Sequence, residues 1–179
     1  MLMLYLHKIQ GRKCKMTLRQ WTKDDIKELA NLMNHADRSY LSNGLPYPYT
    51  DDNAQWWLNM VADKDEKDGL YRAVIVDGKI VGMVSLEKKS DVYEKDADIS
   101  YLLMTEYWGK GITTGAVHKF CEEAFEKLDI LRITGSVFGE NEASKKVLIK
   151  AGFVLEGVMR NAVYKNDRVM DLCHYGLYK

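Results

Sequence analysis

The feature that most restricts how this chain can fold is a strand-like segment that turns through two closely spaced glycines into an amphipathic helix. Residues 97–103 read A-D-I-S-Y-L-L, Gly109 and Gly111 follow, and an amphipathic pattern starts at residue 112. Glycine lets a backbone approach a ligand closely, and a helix N-terminus carries a partial positive charge. Several backbone N–H groups then point at one place, which predicts a pyrophosphate site.

The spacing of these glycines excludes two common phosphate-binding loops. A Walker loop has the pattern G-x-x-x-x-G-K-[ST], but Lys110 is followed by Gly111 and no glycine stands five residues before Gly109. A dinucleotide-binding loop needs a third glycine where Thr114 stands. A shorter G-x-G turn remains, and the alternative is a glycine-rich turn that binds no ligand.

A second motif, which begins at Asn141, favours a G-x-G turn that binds a ligand over a turn that binds none. It reads N-E-x-S-x-x-V-L-x-K-x-G-F-x-x-E-G. Together with W-G-K-G-I-x-T from Trp108, it resembles the GNAT superfamily of acyl-CoA-dependent N-acetyltransferases, and most closely the ribosomal-protein-alanine (RimJ/RimL-type) group. The resemblance extends from about Met16 to the C-terminus, with one departure: Glu106 stands where the family often has Gln or Arg.

The composition is typical of a small cytoplasmic enzyme. A chain of 179 residues suits one core, so we expect a single N-acetyltransferase domain over residues 1–179, in which residues 1–15 could add a strand. The 26 basic and 26 acidic side chains cancel, which argues against a nucleic-acid partner. No apolar run approaches the roughly 20 residues that span a bilayer. Three widely spaced cysteines favour reduced thiols in a cytoplasm over disulfides or a zinc site.

Periodicity and turn signals predict an α+β domain with a mixed, mostly antiparallel central sheet flanked by helices. Helices are predicted at 23–34, from Asp51 onwards, after Gly111 and at 142–150. Strands are predicted at 2–9 with 15–21, 71–76 with 80–86, 96–104, 130–138, and 153–160 with 168–178. The strongest hairpin signal is Asp77-Gly78, and Gly152 predicts the end of the last helix.

The resemblance implies how acetyl-CoA would bind. In the GNAT fold the strand before the glycine turn splays from its neighbour, and its exposed N–H and C=O groups bind the pantetheine arm like an added strand. In this chain these groups would belong to Tyr101, Leu102, Leu103 and Met104, and the Leu103 amide would polarise the thioester carbonyl. The side chains of Leu102 and Leu103 could pack in the core at the same time.

The pyrophosphate would meet the start of the helix that follows the turn. The residues that we assign to it, through backbone N–H groups and two threonine hydroxyls, are Gly109, Lys110, Gly111, Ile112, Thr113 and Thr114. The Lys110 side chain either neutralises phosphate or is solvated.

The second motif supplies two further candidates. Asn141 can cap the following helix, and in the resembling family an Asn here also hydrogen-bonds the pantetheine arm. Ser144 lies one helical turn further on and could protonate the leaving thiolate. Many GNAT enzymes use a tyrosine slightly further along this helix, where this chain has none. The acid is therefore Ser144, a tyrosine from elsewhere, or solvent.

Asp98 is the candidate general base. It shares a strand face with Ser100 and Leu102, and related enzymes often carry Glu at this position. An acid inside an otherwise apolar strand predicts a buried carboxylate whose raised pKa suits proton transfer, and a salt-bridged or exposed aspartate is the alternative. No set of His, Cys, Asp or Glu has metal-ligand spacing, so we expect no metal.

Acceptor contacts are expected from the variable front of the chain. The candidates are Tyr40, Tyr49, Trp56 and Tyr164. Because Trp56 and Trp57 are adjacent on a predicted helix, at most one of them points fully inward. The loop at 43–49 contains two prolines and two tyrosines, which suits a peptide backbone or an apolar amine better than a polycation.

These patterns together predict a cytoplasmic acetyl-CoA-dependent N-acetyltransferase that acts by direct transfer in a ternary complex. The expected acceptor is a peptide N-terminus or another small primary amine, without nucleic acid or membrane, and monomer and homodimer both stay open. Two alternatives remain: an enzyme for a polyamine, amino sugar or antibiotic, and an acyl-CoA-binding sensor without catalysis.

Overall fold

The computed structural model describes residues 15–179, so the strand predicted at 2–9 lies outside the described residues. The strands of the described part are β1 Met16–Arg19, β2 Gly69–Val76, β3 Lys79–Lys88, β4 Asp96–Leu103, β5 Arg132–Phe138, β6 Val154–Lys165 and β7 Arg168–Tyr178. The helices are α1 Ile26–His35, α2 Asp51–Lys64, α3 Ile112–Lys127 and α4 Glu142–Lys150. Short 3-10 turns cover Lys23–Asp25, Asp91–Tyr93 and Thr105–Tyr107.

The seven described strands form one sheet in the order β1-β2-β3-β4-β5-β7-β6. Every neighbouring pair is antiparallel except β4 with β5, which is parallel. The predicted α+β class with a mixed, mostly antiparallel sheet is therefore confirmed.

Turn and cap chemistry explains most of the boundaries. Asp77 and Gly78 both have positive φ, at 49° and 79°, as a type I′ hairpin between β2 and β3 requires. Asp25 accepts from the backbone N–H and hydroxyl of Thr22 at 2.8 and 2.9 Å. The helix predicted from residue 23 thus begins with a 3-10 turn, and regular α-helix starts at Ile26.

Two strand ends differ from the prediction for identifiable reasons. The strand predicted from residue 130 begins at Arg132, because the Leu131 N–H donates to the Lys95 carbonyl before the regular ladder starts. The strand predicted to end at residue 160 continues to Lys165, because pairing with β7 resumes after an irregularity between Met159 and Val163.

Helices cover both faces of the sheet. Helices α3 and α4 pack on one face, the α3–α4 face, where Phe120, Ile133 and Leu148 are fully buried. Helices α1 and α2 pack on the other face, the α1–α2 face, where Leu29 of α1 and Tyr71 of β2 are fully buried. Burial of such large apolar side chains supplies the main stabilising term on each face.

An ion network around a buried arginine joins β2 to helices α2 and α3. The Arg72 side chain on β2 is only 3% exposed and pairs with Asp65, Glu66 and Glu123 at 2.7 to 2.9 Å. Asp65 caps the end of α2, and Glu123 lies on α3. The guanidinium therefore joins elements from both faces of the sheet.

The interruption between β4 and β5 determines where a ligand can enter. These strands pair only at Asp96–Asp98 with Arg132–Thr134, and they diverge beyond that point. The remaining part of β4 keeps its partner β3 but has no ladder partner on its other side. A gap therefore opens in the middle of the sheet.

Gly82 on β3 is needed for the close approach of β4. A Cβ at this position would lie 2.6 Å from the Leu102 carbonyl oxygen and 2.8 Å from Leu103 Cδ1. We expect Gly82→Ala to lower the free energy of unfolding by about 1–3 kcal/mol, because the backbone must shift. Gly157→Ala is the control, since a Cβ there meets nothing within 4 Å. Urea unfolding checks this, and equal stability of the two variants would contradict it.

Candidate active site

A cavity of about 670 Å³ occupies the gap between β4 and β5. It is bounded by the glycine turn and the start of α3, by α4, and by the loop between α1 and α2. The predicted cofactor residues that line it are Tyr101, Leu102, Leu103, Gly109, Gly111, Ile112, Thr113, Thr114, Asn141 and Ser144. Met104 and Lys110 do not.

The backbone of β4 presents alternate residues to the gap. The Met104 N–H donates to the Val81 carbonyl at 2.9 Å, so its backbone faces β3. Because backbone groups alternate in direction along a strand, those of Leu102 also face β3, whereas those of Tyr101 and Leu103 face the gap. The prediction that four consecutive residues offer backbone groups is therefore corrected to two.

The Leu103 carbonyl already has a donor from the protein. Trp108 Nε1–H donates to it at 2.9 Å. The Leu103 N–H points into the gap beside it, beyond the last β4–β5 pair. The amide predicted to polarise a thioester carbonyl is therefore directed at the cavity.

The glycine turn forms an open cradle at the start of α3. Gly109 and Gly111 both have φ of 74°, and a Cβ on either would meet no protein atom within 4 Å. Gly115 N–H is bonded to the Gly111 carbonyl at 3.0 Å. The N–H groups of residues 112–114 precede this bond, and such groups have no acceptor within their own helix. The cradle has room and donors for an anion.

Lys110 is held away from this cradle. Its ammonium donates to the Glu106 carbonyl at 2.8 Å and lies 5.1 Å from the centre of the Tyr107 ring. The Lys110 side chain is exposed, and both of its predicted roles remain predictions. The Glu106 side chain is also exposed.

Asn141, Ser144 and Tyr101 form a polar cluster at one end of the gap. Asn141 Oδ1 accepts from the Ser144 N–H at 3.0 Å and so caps α4. The Ser144 and Tyr101 hydroxyl oxygens are 2.6 Å apart. Burial raises the pKa of the Tyr101 hydroxyl to about 12, although the hydrogen bond with Ser144 opposes this shift. Tyr101 on β4 is therefore a tyrosine that lies beside Ser144, and the identity of the acid remains a prediction.

The structure contradicts the expected burial of Asp98. Its side chain is 56% exposed and pairs with Lys89 at 3.2 Å, and it does not line the cavity. This part of the sheet lies beyond the helices of the α1–α2 face, so water reaches the carboxylate. The role of Asp98 as a base remains a prediction.

A serine and a histidine on the α1–α2 face were not among the predicted site residues. Ser136 on β5 lines the cavity, and its hydroxyl oxygen lies 3.0 Å from His174 Nδ1 on β7. His174 Nε2 lies 3.0 Å from the Met159 sulfur. A thioether only accepts, so in the tautomer that carries its hydrogen on Nε2, Nδ1 accepts from the Ser136 hydroxyl. Only the register of β5 against β7 pairs these residues, and no sequence motif marks it.

Of the four predicted acceptor residues, one lines the large cavity. Tyr40 donates to the Glu140 carbonyl at 3.3 Å, and its ring packs edge-on against Phe138. Tyr49 is buried and lines a second, smaller cavity. Trp56 and Tyr164 are 70% and 69% exposed and line neither cavity, so the structure does not bring them to the site.

A buried lysine holds the loop that carries Tyr40. Lys165, at the end of β6, donates to the Leu41 carbonyl at 2.6 Å and to Asn43 Oδ1 at 3.0 Å. Its side chain is buried although no carboxylate among residues 15–179 pairs with it. The wall of the cavity nearest α1 is therefore fixed from the C-terminal hairpin.

Metal-binding clusters and membrane-spanning helices were both sought in the described residues. Within residues 15–179 no three His, Cys, Asp or Glu side chains lie close enough to hold a metal ion, and the absence of a metal remains a prediction. No helix in the same range has the length and apolar character to cross a membrane.

Comparison with known proteins identifies relatives of this architecture. A sequence model described as an acetyltransferase (GNAT) domain matches residues 15–154. The protein YdaF of Bacillus subtilis, named as a candidate ribosomal N-acetyltransferase, is 36% identical over 123 residues, covering 69% of this chain. That match spans 65% of YdaF. The spermidine N(1)-acetyltransferase of Escherichia coli K12 is 28% identical, covering 84% of this chain and 79% of its own length.

Solved structures share the same fold. The ribosomal-protein-S5-alanine acetyltransferase of Vibrio fischeri superposes with a TM-score of 0.81 at 24% identity, covering 91% of this chain and 92% of its own. The microcin C7 self-immunity acetyltransferase MccE, solved with acetyl-CoA and AMP, superposes with a TM-score of 0.78 at 24% identity, covering 92% and 93%.

The cradle at Gly111 gives a direct test of the cofactor site. We expect Gly111→Val to reduce acetyl-CoA affinity at least tenfold, because a branched side chain would fill the space in front of the helix N-terminus. Gly78→Val is a matched control, since Gly78 has a similar φ of 79° and open space but lies in the β2–β3 hairpin. Calorimetry on folded protein measures both. Wild-type affinity of Gly111→Val would contradict the assignment.

Proposed function

Because the chain belongs to the acetyltransferase (GNAT) domain family, we propose that it is an enzyme that transfers an acetyl group from acetyl-CoA to a primary amine. The observation that carries this proposal is the gap between β4 and β5, which places a free strand edge next to a free helix N-terminus. An extended pantetheine arm and a pyrophosphate need these two features side by side.

The residues present fit acetyl-CoA. The glycine cradle has space that a Cβ would fill, and the amides of residues 112–114 can donate to phosphate oxygens. The Tyr101 and Leu103 backbone groups can pair with amide groups of the arm. When bound there, acetyl-CoA supplies an activated acyl carbon and a thiolate leaving group.

The Leu103 N–H would stabilise negative charge on the acyl oxygen. A preorganised backbone donor costs no reorganisation during the reaction, and removal of one such donor typically costs about 10²–10³ in rate. The β3–β4 pairing supports this role, because it fixes the direction of the Leu103 amide.

The Tyr101–Ser144 pair would return a proton to the leaving thiolate. Tyr101 is predominantly protonated at neutral pH, since burial raises its pKa to about 12. The 2.6 Å separation of the two hydroxyl oxygens allows either to donate while the other replaces the proton. Asn141 would position this pair, because its side chain fixes the first turn of α4.

The Ser136–His174 pair would remove the proton from the acceptor amine. Ser136 donates to His174 Nδ1, so its lone pairs are free to accept from an ammonium in the cavity. His174 then receives the serine proton. Asp98 is the alternative base, and its exposed position beside Lys89 would require a chain of water molecules.

The acceptor is proposed to be the free N-terminus of a peptide or protein. Relatives named for ribosomal proteins support this choice, whereas the named spermidine enzyme supports a polyamine. The cavity wall next to α1 favours the peptide: its side chains include Tyr40, Leu41 and Ser42, with Asp37 as the acidic member. A polycation would call for several converging carboxylates.

Replacing the members of the polar cluster should separate their roles. We expect Tyr101→Phe and Ser144→Ala to lower kcat at least tenfold with little change in acetyl-CoA affinity. Asn141→Ala should instead lower stability by about 1 kcal/mol through the lost cap, and it should weaken cofactor binding. Steady-state kinetics, calorimetry and urea unfolding distinguish these effects. An unchanged kcat in both hydroxyl variants would assign the proton to solvent.

The acceptor class is tested by comparing kcat/KM for a short peptide with a free N-terminus and for spermidine, read by release of free CoA. We expect the peptide to be the better acceptor. A spermidine value about tenfold larger, equivalent to about 1.4 kcal/mol in the transition state, would reverse the assignment. Acetyl-CoA binding without CoA release for any amine would instead identify a sensor.

A further inference from the structure

A second cavity of about 220 Å³ lies on the α1–α2 face, next to the reaction site. It shares its rim with the large cavity, since both are lined by Leu41, Ser42, Ser100, Tyr101 and Leu102. The shared residues include Tyr101, whose backbone groups face the gap. A molecule in the large cavity could therefore extend a side group into the second one.

The second cavity is built from apolar side chains. They come from α1, the loop, α2 and β3: Leu29, Met33, Leu45, Trp57 and Met83. Among the described residues that line it, none carries a charge. Burial of a charged group without a partner is strongly unfavourable, so this cavity disfavours a cationic side group.

The second cavity is larger than an ordinary packing defect. Protein interiors contain few voids larger than a water molecule. An apolar cavity of roughly 150 Å³ is enough to bind benzene. A space of about 220 Å³ therefore accommodates the side chain of a leucine, methionine or phenylalanine.

We propose that the second cavity binds the first side chain of the acceptor, and that the acceptor class is an amine whose neighbouring carbon bears a medium-sized apolar group. This inference rests on the proposed acetyl transfer. The first residue of a peptide would place its side chain between α1 and β3. Its amine would remain in the gap between Ser100 and Ser136, which lie on the same sheet face as the second cavity.

Peptides that differ only in their first residue provide the test. We expect kcat/KM for Leu-, Met- or Phe-initiated peptides to exceed that of the Ala-initiated peptide by at least tenfold, since one methylene in an apolar pocket typically discriminates by roughly 10–200-fold. An Arg-initiated peptide, which has one reactive amine and a cationic side chain, should be the poorest acceptor. Equal values, or faster acetylation of the Ala or Arg peptide, would overturn the inference.

Substitution of Ser85 tests whether this cavity is the cause. Ser85 lies on β3, is half-buried and lines the second cavity but not the first. Ser85→Asp should raise the Arg-to-Leu ratio of kcat/KM at least tenfold, because a carboxylate would now face the cation. Ser85→Asn has the same size without the charge and should change this ratio much less. A similar change in both variants would contradict the assignment.

Leu45→Trp is a second test of this cavity, and it introduces no charged group into a partly buried position. Leu45 lies in the loop and is only half-buried, so a larger side chain can fill the cavity from its rim. The variant should reduce the Leu-to-Ala ratio of kcat/KM. An unchanged ratio in the folded variant would mean that the acceptor side chain lies elsewhere.

The two levels of the proposal fail differently. If wild-type protein does not bind acetyl-CoA, or releases no CoA with any of the amines, the proposal of acetyl transfer is wrong. The proposal of an acceptor pocket is then wrong as well. If peptides are acetylated without preference for the first residue, only the pocket assignment is overturned.

Discussion

The short parallel pairing of β4 with β5 is the constraint on which the rest of this structure depends. Three residue pairs hold the strands together at one end, and divergence beyond Asp98 leaves amides of Tyr101 and Leu103 without a strand partner. Unpaired backbone groups are costly when buried, so such an edge persists where water or a ligand can reach it. The cavity, the free start of α3 and the cap of α4 all adjoin this gap.

The local parts of the site could be predicted because each of them depends on residues that are neighbours in the sequence. The glycines at 109 and 111 sit in the left-handed conformation, and Asn141 caps the helix that its motif predicts. A helix start, a hairpin turn and a cap each depend on a few consecutive side chains. The fold class followed from the same local signals, and the family followed from the two motifs.

What the sequence could not provide depends on strand order and on which faces the helices cover. Asp98 resembled a buried acid because its neighbours along β4 are apolar, yet more than half of its side chain is exposed. The Tyr101 hydroxyl meets Ser144 only because α4 packs over the opposite face of β4. Ser136 meets His174 only through the β5–β7 register. Trp56 and Tyr164 are aromatic residues in the right region of the sequence, but they point to solvent.

The tie between Lys165 and the loop at Leu41–Asn43 has a consequence for how the protein is made. The bond to Leu41 joins residues 124 positions apart, and Lys165 follows the glycine turn and α4 in the sequence. During synthesis the residues of the glycine turn and of the α4 cap leave the ribosome before those of β6 and β7. Non-local contacts form at the largest cost in chain entropy, so this wall of the cavity closes late. A nascent chain thus acquires the features for binding a nucleotide-like anion before Lys165 fixes this wall of the cavity.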